Sequence, residues 1–286
     1  MQLHAGDYAL QLAPERGGSI LRLDWRGQPL LRPVCGDSIL DVASFPLVPF
    51  SNRIAFGRFR HGARAVALRP NFPGMDHPHA LHGFGWLAQW RIERSDDRCA
   101  VLTHDYPGGE WPWRYRAEQI VALTEQGLDI ALSVTNLAEE AMPAGLGFHP
   151  YFPCDAETTY LGLHRGEWTT GDDGLPLRLA MRDHPHDWWE GAAIGTRNVD
   201  TVYAGRHGKL VLTWPGQGRR VTITPSANLP CTVVYAPAGE GFFCVEPVSH
   251  PTDAINRTDR PGLRSLEPGE IMTAHMAIRA QPWPVC

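Results

Sequence analysis

Period-two alternation of apolar and polar side chains runs through most of this chain. Across residues 127–135, Leu128, Ile130, Leu132 and Val134 fall on one face, and residues 220–224 and 271–278 repeat the pattern. A run with that period is a strand with one face in a core and one toward water. Further strands are expected near residues 8–12, 18–25, 64–69, 89–95, 99–105, 114–124, 209–214 and 231–236. Arg26-Gly27-Gln28-Pro29 and Glu125-Gln126-Gly127 read as hairpin turns between such runs. No stretch of about 12 residues carries a helical period with caps. With 29 Gly and 25 Pro, turns are frequent. The expected fold is therefore all-β: a large antiparallel β-sandwich of two face-to-face sheets, with few short helices. No linker or internal repeat divides the chain, so residues 1–286 read as a single domain.

Composition narrows the function classes. Net charge is −5, and of the 26 Lys and Arg only Lys209 is lysine, so arginine supplies 25. The arginines are scattered, which argues against a nucleic-acid surface. Schiff-base chemistry would have to use Lys209, in a His-Gly-Lys-Leu segment that reads as a hairpin tip. The six cysteines (Cys35, Cys99, Cys154, Cys231, Cys244 and Cys286) form no Cys-x-x-Cys pair, and free thiols are expected. No run approaches the ~18 apolar residues of a membrane span, and the N-terminal residues have no signal-peptide character. A soluble, cytoplasmic protein is expected, without nucleic-acid or membrane partners.

Three segments concentrate acid–base chemistry. Phe242-Phe243-Cys244-Val245 delivers Glu246 to what reads as a strand end, followed by Pro247 and a loop. Leu81-His82-Gly83-Phe84-Gly85-Trp86 and Gly147-Phe148-His149-Pro150-Tyr151-Phe152 each place a histidine among aromatics and turn formers. A carboxylate held against apolar neighbours can have its pKa raised and act as a base. Aromatics beside such groups point to a sugar, whose apolar C–H face they cover; Phe84, Trp86, Phe148, Trp188 and Trp189 are the candidates. Each residue also has a bland reading. Glu246 could be an ion-paired structural carboxylate, His149 a core histidine, Arg53 a surface ion-pair partner, and most of the aromatics core. Asp200 competes with Asp172, Asp173 and Asp187 in the same irregular region.

Five separated pieces, in order, resemble the aldose 1-epimerase (galactose mutarotase) family. They are Phe50-Ser51-Asn52-Arg53-Ile54 with Gly57-Arg58-Phe59, Leu81-His82-Gly83, Phe148-His149-Pro150-Tyr151-Phe152, Asn198-Val199-Asp200, and Glu246-Pro247. The resemblance implies a β-supersandwich and cofactor-free interconversion of the α and β anomers of a free hexose. Matched by motif, Glu246 is the general base and His149 the general acid. Arg53, His82 and Asp200, with Asn52 beside them, bind and orient the sugar, and Phe84 and Trp86 are expected at its face. Ordinary pKa values of about 4.3 for Glu and 6.5 for His would let Glu⁻ and His⁺ coexist near neutrality. Phe148 stands where many mutarotases carry Asn, and His82 is followed by Gly-Phe-Gly-Trp rather than the longer His-Gly-Gly form; both changes are expected in the sugar pocket.

Other classes stay in view. Asp76, His77, His79 and His82 lie close in sequence, but their prolines prevent a helical i, i+4 presentation, and no metal is expected. Asp200 and Glu246 could be a glycosidase pair, although that leaves both histidines without a task. A non-catalytic carbohydrate-binding protein on the same fold, or an epimerase of a sugar phosphate, uses the same residues. A monomer or weak homodimer is expected.

Overall fold

The computed structural model describes residues 1–181 and 188–284; Asp187 and Cys286, named above, lie outside them. The described residues form an eleven-stranded and a nine-stranded sheet with three two-stranded ribbons. All strand-to-strand pairings are antiparallel. The helical segments among the described residues are 3-10 turns of three residues each, such as Ile39–Asp41 and Gly85–Leu87. None is long and apolar enough to cross a membrane.

The period-two runs are strands. Gly127–Asn136 lies between Tyr115–Thr124 and Ile271–Pro282 in the nine-stranded sheet, and its Leu128, Ile130, Leu132 and Val134 are buried. The Glu125-Gln126 turn closes on the pair Thr124 and Gly127. Gly127 has φ +135°, and a Cβ there would stand 2.3 Å from the carbonyl oxygen of Ile278, so the close approach of the last strand requires glycine. Arg26-Gly27 likewise turns Ser19–Trp25 back onto Gln28–Pro29. The Lys209 segment is different. Lys209 lies inside the strand His207–Trp214, and the preceding strand, Val199–Ala204, belongs to the other sheet. The connection passes between sheets, so no hairpin tip forms there. Cys35, Cys99, Cys154, Cys231 and Cys244 are free thiols.

Two strands at the middle of the eleven-stranded sheet set the site. Gly147–Pro153 pairs with Phe242–Val248 on one side and Ser44–Leu47 on the other. The segment that places His149 among aromatics and turn formers is thus a central strand. His149 is its third residue of seven, and Glu246 lies within a strand that continues to Val248 rather than at a strand end. Both strands are apolar on both faces, as a fully covered strand must be. Phe148, Phe152, Phe243 and Val245 join Leu10 and Leu23 in the core against Leu132 and Met276 of the nine-stranded sheet. Tyr151, Cys244 and Val248 face the opposite way, into a second apolar cluster covered by Ile39, Val42, Leu81 and Trp86 from the loops. The site therefore sits on the outer face of the large sheet, under loops, rather than between the sheets.

Candidate active site

Strand register brings the two candidate catalytic groups together. Gly147 pairs with Val248 and Tyr151 with Cys244, which puts His149 across from Glu246. Nε2 of His149 lies 3.2 Å from Oε1 of Glu246. The imidazole is held between Phe45 (centroids 4.5 Å apart) and Tyr151 (4.7 Å), and the edge of His82 closes a third side at 5.3 Å. Behind Tyr151, the Arg32 guanidinium lies 4.0 Å from the ring centroid. Such a packed column fixes the ring orientation before substrate arrives.

Burial sets the protonation of this pair. Desolvation pushes Glu246 well above the ordinary carboxylate range, and the charge of Asp200 adds to the rise while Arg53 opposes it. Desolvation lowers His149 to about 3, assisted by the positive charge of Arg32. Both shifts run against resting Glu⁻ and His⁺ and toward the uncharged groups, because a dry pocket penalises separate charges.

His82 and Asn52 depend on strained backbone. Both have positive φ, +57° each, and Gly83 follows at +72°. The Asn52 N–H donates to Nδ1 of His82 at 3.1 Å, which leaves Nε2 as the protonated, donating nitrogen. Burial, then the neighbouring His149, keep His82 neutral by lowering its pKa well below the usual value. Arg53 opens the short strand Arg53–Ile54, paired with Leu81. Its guanidinium reaches Asp200 at 3.5 Å, Nε2 of His77 at 3.4 Å and Oδ1 of Asn52 at 3.3 Å. Asp200 is exposed at the rim, on the strand Val199–Ala204.

A cavity of about 440 Å³ opens over these groups, inside the usual range of about 300–1,000 Å³ for small-molecule sites. Asn52, Arg53, His82, His149, Asp200 and Glu246 all line it. Phe84 and Trp86 do not. Trp86 is fully buried beneath the site, donating its indole N–H to the Gly83 carbonyl, and Phe84 packs on Tyr106. The turn at His82 and Gly83 directs the following residues under the site. Phe148 faces the inter-sheet core, so that departure from the family pattern lies outside the cavity. Trp188 is likewise core, and Trp189 donates to the His164 carbonyl. The aromatic walls are instead Phe72, Tyr151, Tyr235 and Phe242, with Met75 and His77 at the edge. Tyr151 was within reach of the sequence, since residue i+2 of a strand shares the face of His149.

The histidines of the metal reading are occupied otherwise. Nδ1 of His79 accepts from the Phe56 N–H at 3.0 Å, and its Nε2 meets the Asp173 carbonyl at 3.3 Å. His77 is stacked on Phe72. The glycosidase reading is weakened because Asp200 is engaged by Arg53 while Glu246 pairs with His149. One further group comes close: Cys244, two residues before Glu246, whose sulfur lies within 4.8 Å of the donor atoms of both His149 and Glu246.

A two-sheet antiparallel supersandwich with this strand pairing is a galactose mutarotase-like fold. The sequence matches the aldose 1-epimerase family over residues 2–279, and the chain belongs to that family. The uncharacterized protein YphB of Escherichia coli K12 is 32% identical over 290 residues, covering 96% of each chain. A solved structure from the same organism, described as a candidate aldose 1-epimerase, superposes with a TM-score of 0.90 at 30% identity over 98% of both chains. A galactose mutarotase-like protein from Clostridium acetobutylicum gives a TM-score of 0.88 at 18% identity, covering 98% of this chain and 94% of its own, a likeness of fold alone.

Proposed function

We propose that this chain interconverts the α and β anomers of a free hexose by acid–base ring opening. The 3.2 Å contact of His149 with Glu246 on the cavity wall carries the reading. Ring opening removes one proton from the C1 hydroxyl and delivers one to O5, so the catalyst must present one free and one protonated group at once. A pair that shares a single proton meets that requirement. Moving the proton from Glu246 to His149 changes no net charge and arms both groups. Glu246 then takes the O1 proton, Nε2 of His149 gives its proton to O5, and the C1–O5 bond breaks. The pair is left as carboxylic acid and neutral imidazole, the arrangement that burial favours. Rotation about C1–C2 and reclosure on the other face reverse the transfers. General acid–base assistance contributes roughly 10²–10⁴-fold.

Arg53, the Nε2–H of His82, Asn52 and Asp200 grip the hydroxyls, and Tyr151, Tyr235, Phe72 and Phe242 cover the apolar C–H face. The charge on Arg53 is already balanced by Asp200, and no second arginine or lysine lines the cavity among the described residues. That favours a neutral sugar over a sugar phosphate. Freshly dissolved α-sugars, their 6-phosphates and a disaccharide, followed by polarimetry and by NMR anomer exchange in EDTA, test the proposal. Faster exchange without release of a new sugar is expected. Release of a sugar would mean a hydrolase, and binding without faster exchange a carbohydrate-binding protein; either overturns the reading.

A further inference from the structure

The mechanism gives no task to Cys244, although its sulfur faces the catalytic pair. Strand alternation puts Cys244 and Glu246 on the same face of Phe242–Val248, and register sets Tyr151 opposite Cys244 and His149 opposite Glu246. The sulfur, a ring nitrogen of His149 and a carboxylate oxygen of Glu246 lie within 4.8 Å of one another, and all three residues are buried. Some point between the three atoms is then no more than about 2.8 Å from each of them. Zinc bonds are about 2.3 Å to sulfur and about 2.0–2.2 Å to nitrogen and oxygen. A contraction of less than about 1 Å per ligand reaches those lengths.

We propose that Cys244, His149 and Glu246 form a three-ligand site for a thiophilic divalent cation, zinc foremost, that opens into the sugar cavity and halts turnover when filled. Charge balance supports it. A thiolate, a carboxylate and a neutral imidazole carry −2 together, so the filled site is neutral in surroundings that tolerate little net charge. Filling it releases the thiol proton and the proton of the His149–Glu246 pair. The ligand set discriminates: calcium and magnesium want oxygen cages, whereas a sulfur–nitrogen–oxygen set suits zinc and its soft neighbours. His149 and Glu246 line the cavity, which leaves a fourth position for water or a sugar hydroxyl. The imidazole is already fixed between Phe45 and Tyr151, so little ordering remains. The arrest of turnover rests on the function proposed above; the binding does not.

The test separates the two. Full-length protein stripped with EDTA is titrated with zinc by calorimetry, and with cobalt by absorption, where a bound thiolate gives a near-ultraviolet charge-transfer band. One zinc per chain and that band are expected, with the band lost in Cys244→Ala and zinc uptake weakened in Glu246→Gln. Zinc should slow anomer exchange, EDTA should restore it, and saturating sugar should raise the zinc required. Removing even an outer-shell partner costs about 10–100-fold in metal affinity, so Cys244→Ala should need at least about tenfold more zinc for the same inhibition. Thermal melts establish folding first; Cys244→Ser replaces the alanine variant if that variant is unstable, and the wild-type band decides in either case. The site is refuted by absence of the band, by zinc uptake that Cys244→Ala leaves unchanged (as binding at surface histidines would), or by exchange indifferent to zinc in an active enzyme. A protein without epimerase activity that still shows the band refutes the function and keeps the site.

Discussion

Nε2 of His149 stands 3.2 Å from Oε1 of Glu246 across two central strands, with both side chains almost wholly out of water. Neither residue alone explains the contact. The imidazole is buried enough to resist a proton and the carboxyl buried enough to keep one. Under the proposed ring opening, such a pair would act as one neutral proton-sharing unit whose internal transfer exchanges the acid and base roles.

The pH dependence follows from the directions of the two shifts. A second proton on the pair needs His149, which is pushed down to about 3. Loss of the only proton needs Glu246, which is held well above the carboxylate range. In EDTA, kcat/KM for anomer exchange, corrected for spontaneous mutarotation, should therefore fall on the acid side only as pH approaches the His149 value of about 3, and fall again on the alkaline side above the ordinary carboxylate range. These limbs belong to the pair as a whole. An acid limb near an ordinary histidine value of about 6.5 would contradict the shared proton.

Arg53 and Asp200 should move the alkaline limb in opposite directions. Arg53 lowers the Glu246 pKa and Asp200 raises it. Arg53→Ala should shift that limb to higher pH and Asp200→Asn to lower pH. If they grip hydroxyls equally in ground and transition states, as proposed, both substitutions should mainly raise KM. Limbs that move together, or a fall in kcat beyond about a hundredfold at unchanged KM, would show that one of them takes part in the chemistry.

Burial of Glu246 carries a stability cost with a definite sign. Its folded-state pKa lies above the unfolded one, so its contribution favours folding most at low pH and is lost as pH rises from the unfolded value of about 4.5 through the folded value. Glu246→Gln removes this dependence. Above about pH 4.5 and up to the folded-state value of Glu246, the variant should gain on the wild type by up to about 1.4 kcal/mol per pH unit, one proton's worth. Denaturant unfolding at several pH values, in EDTA, measures the gap; a gap that does not widen with pH would place the carboxyl in water.

The half-buried strands were legible in the sequence because one face is wet. Leu128, Ile130, Leu132 and Val134 stand out against polar neighbours, and the turn at Glu125-Gln126 marks where the chain reverses. Gly147–Pro153 was not legible, because it is covered on both faces and carries Pro150 and Pro153, which read locally as loop formers. The residues around Glu246 announced a strand, yet Pro247 suggested its end where the strand in fact continues. The family motifs named six polar residues that line the cavity. They could not name its aromatic walls, since Tyr235 and Phe242 come from neighbouring strands whose register is a non-local property. Phe84 and Trp86 failed for a local reason: nearness to His82 in the chain does not survive two consecutive positive-φ residues.

Glu246 and His149 should act as one unit. Proton removal at O1 and delivery at O5 belong to one ring-opening event, and here the two groups also share the proton that arms them. Glu246→Gln and His149→Asn should each cost at least about 10²-fold in kcat, about 2.7 kcal/mol. The double variant should be little worse than the worse single one, because removing either partner already dismantles the one-proton pair. Both replacements are close in size to the originals, and thermal melts must confirm folding before kinetics are read. Fully additive losses in folded variants would mean two independent effects. Near-normal exchange in Glu246→Gln would remove the base altogether, and with it the ring-opening scheme.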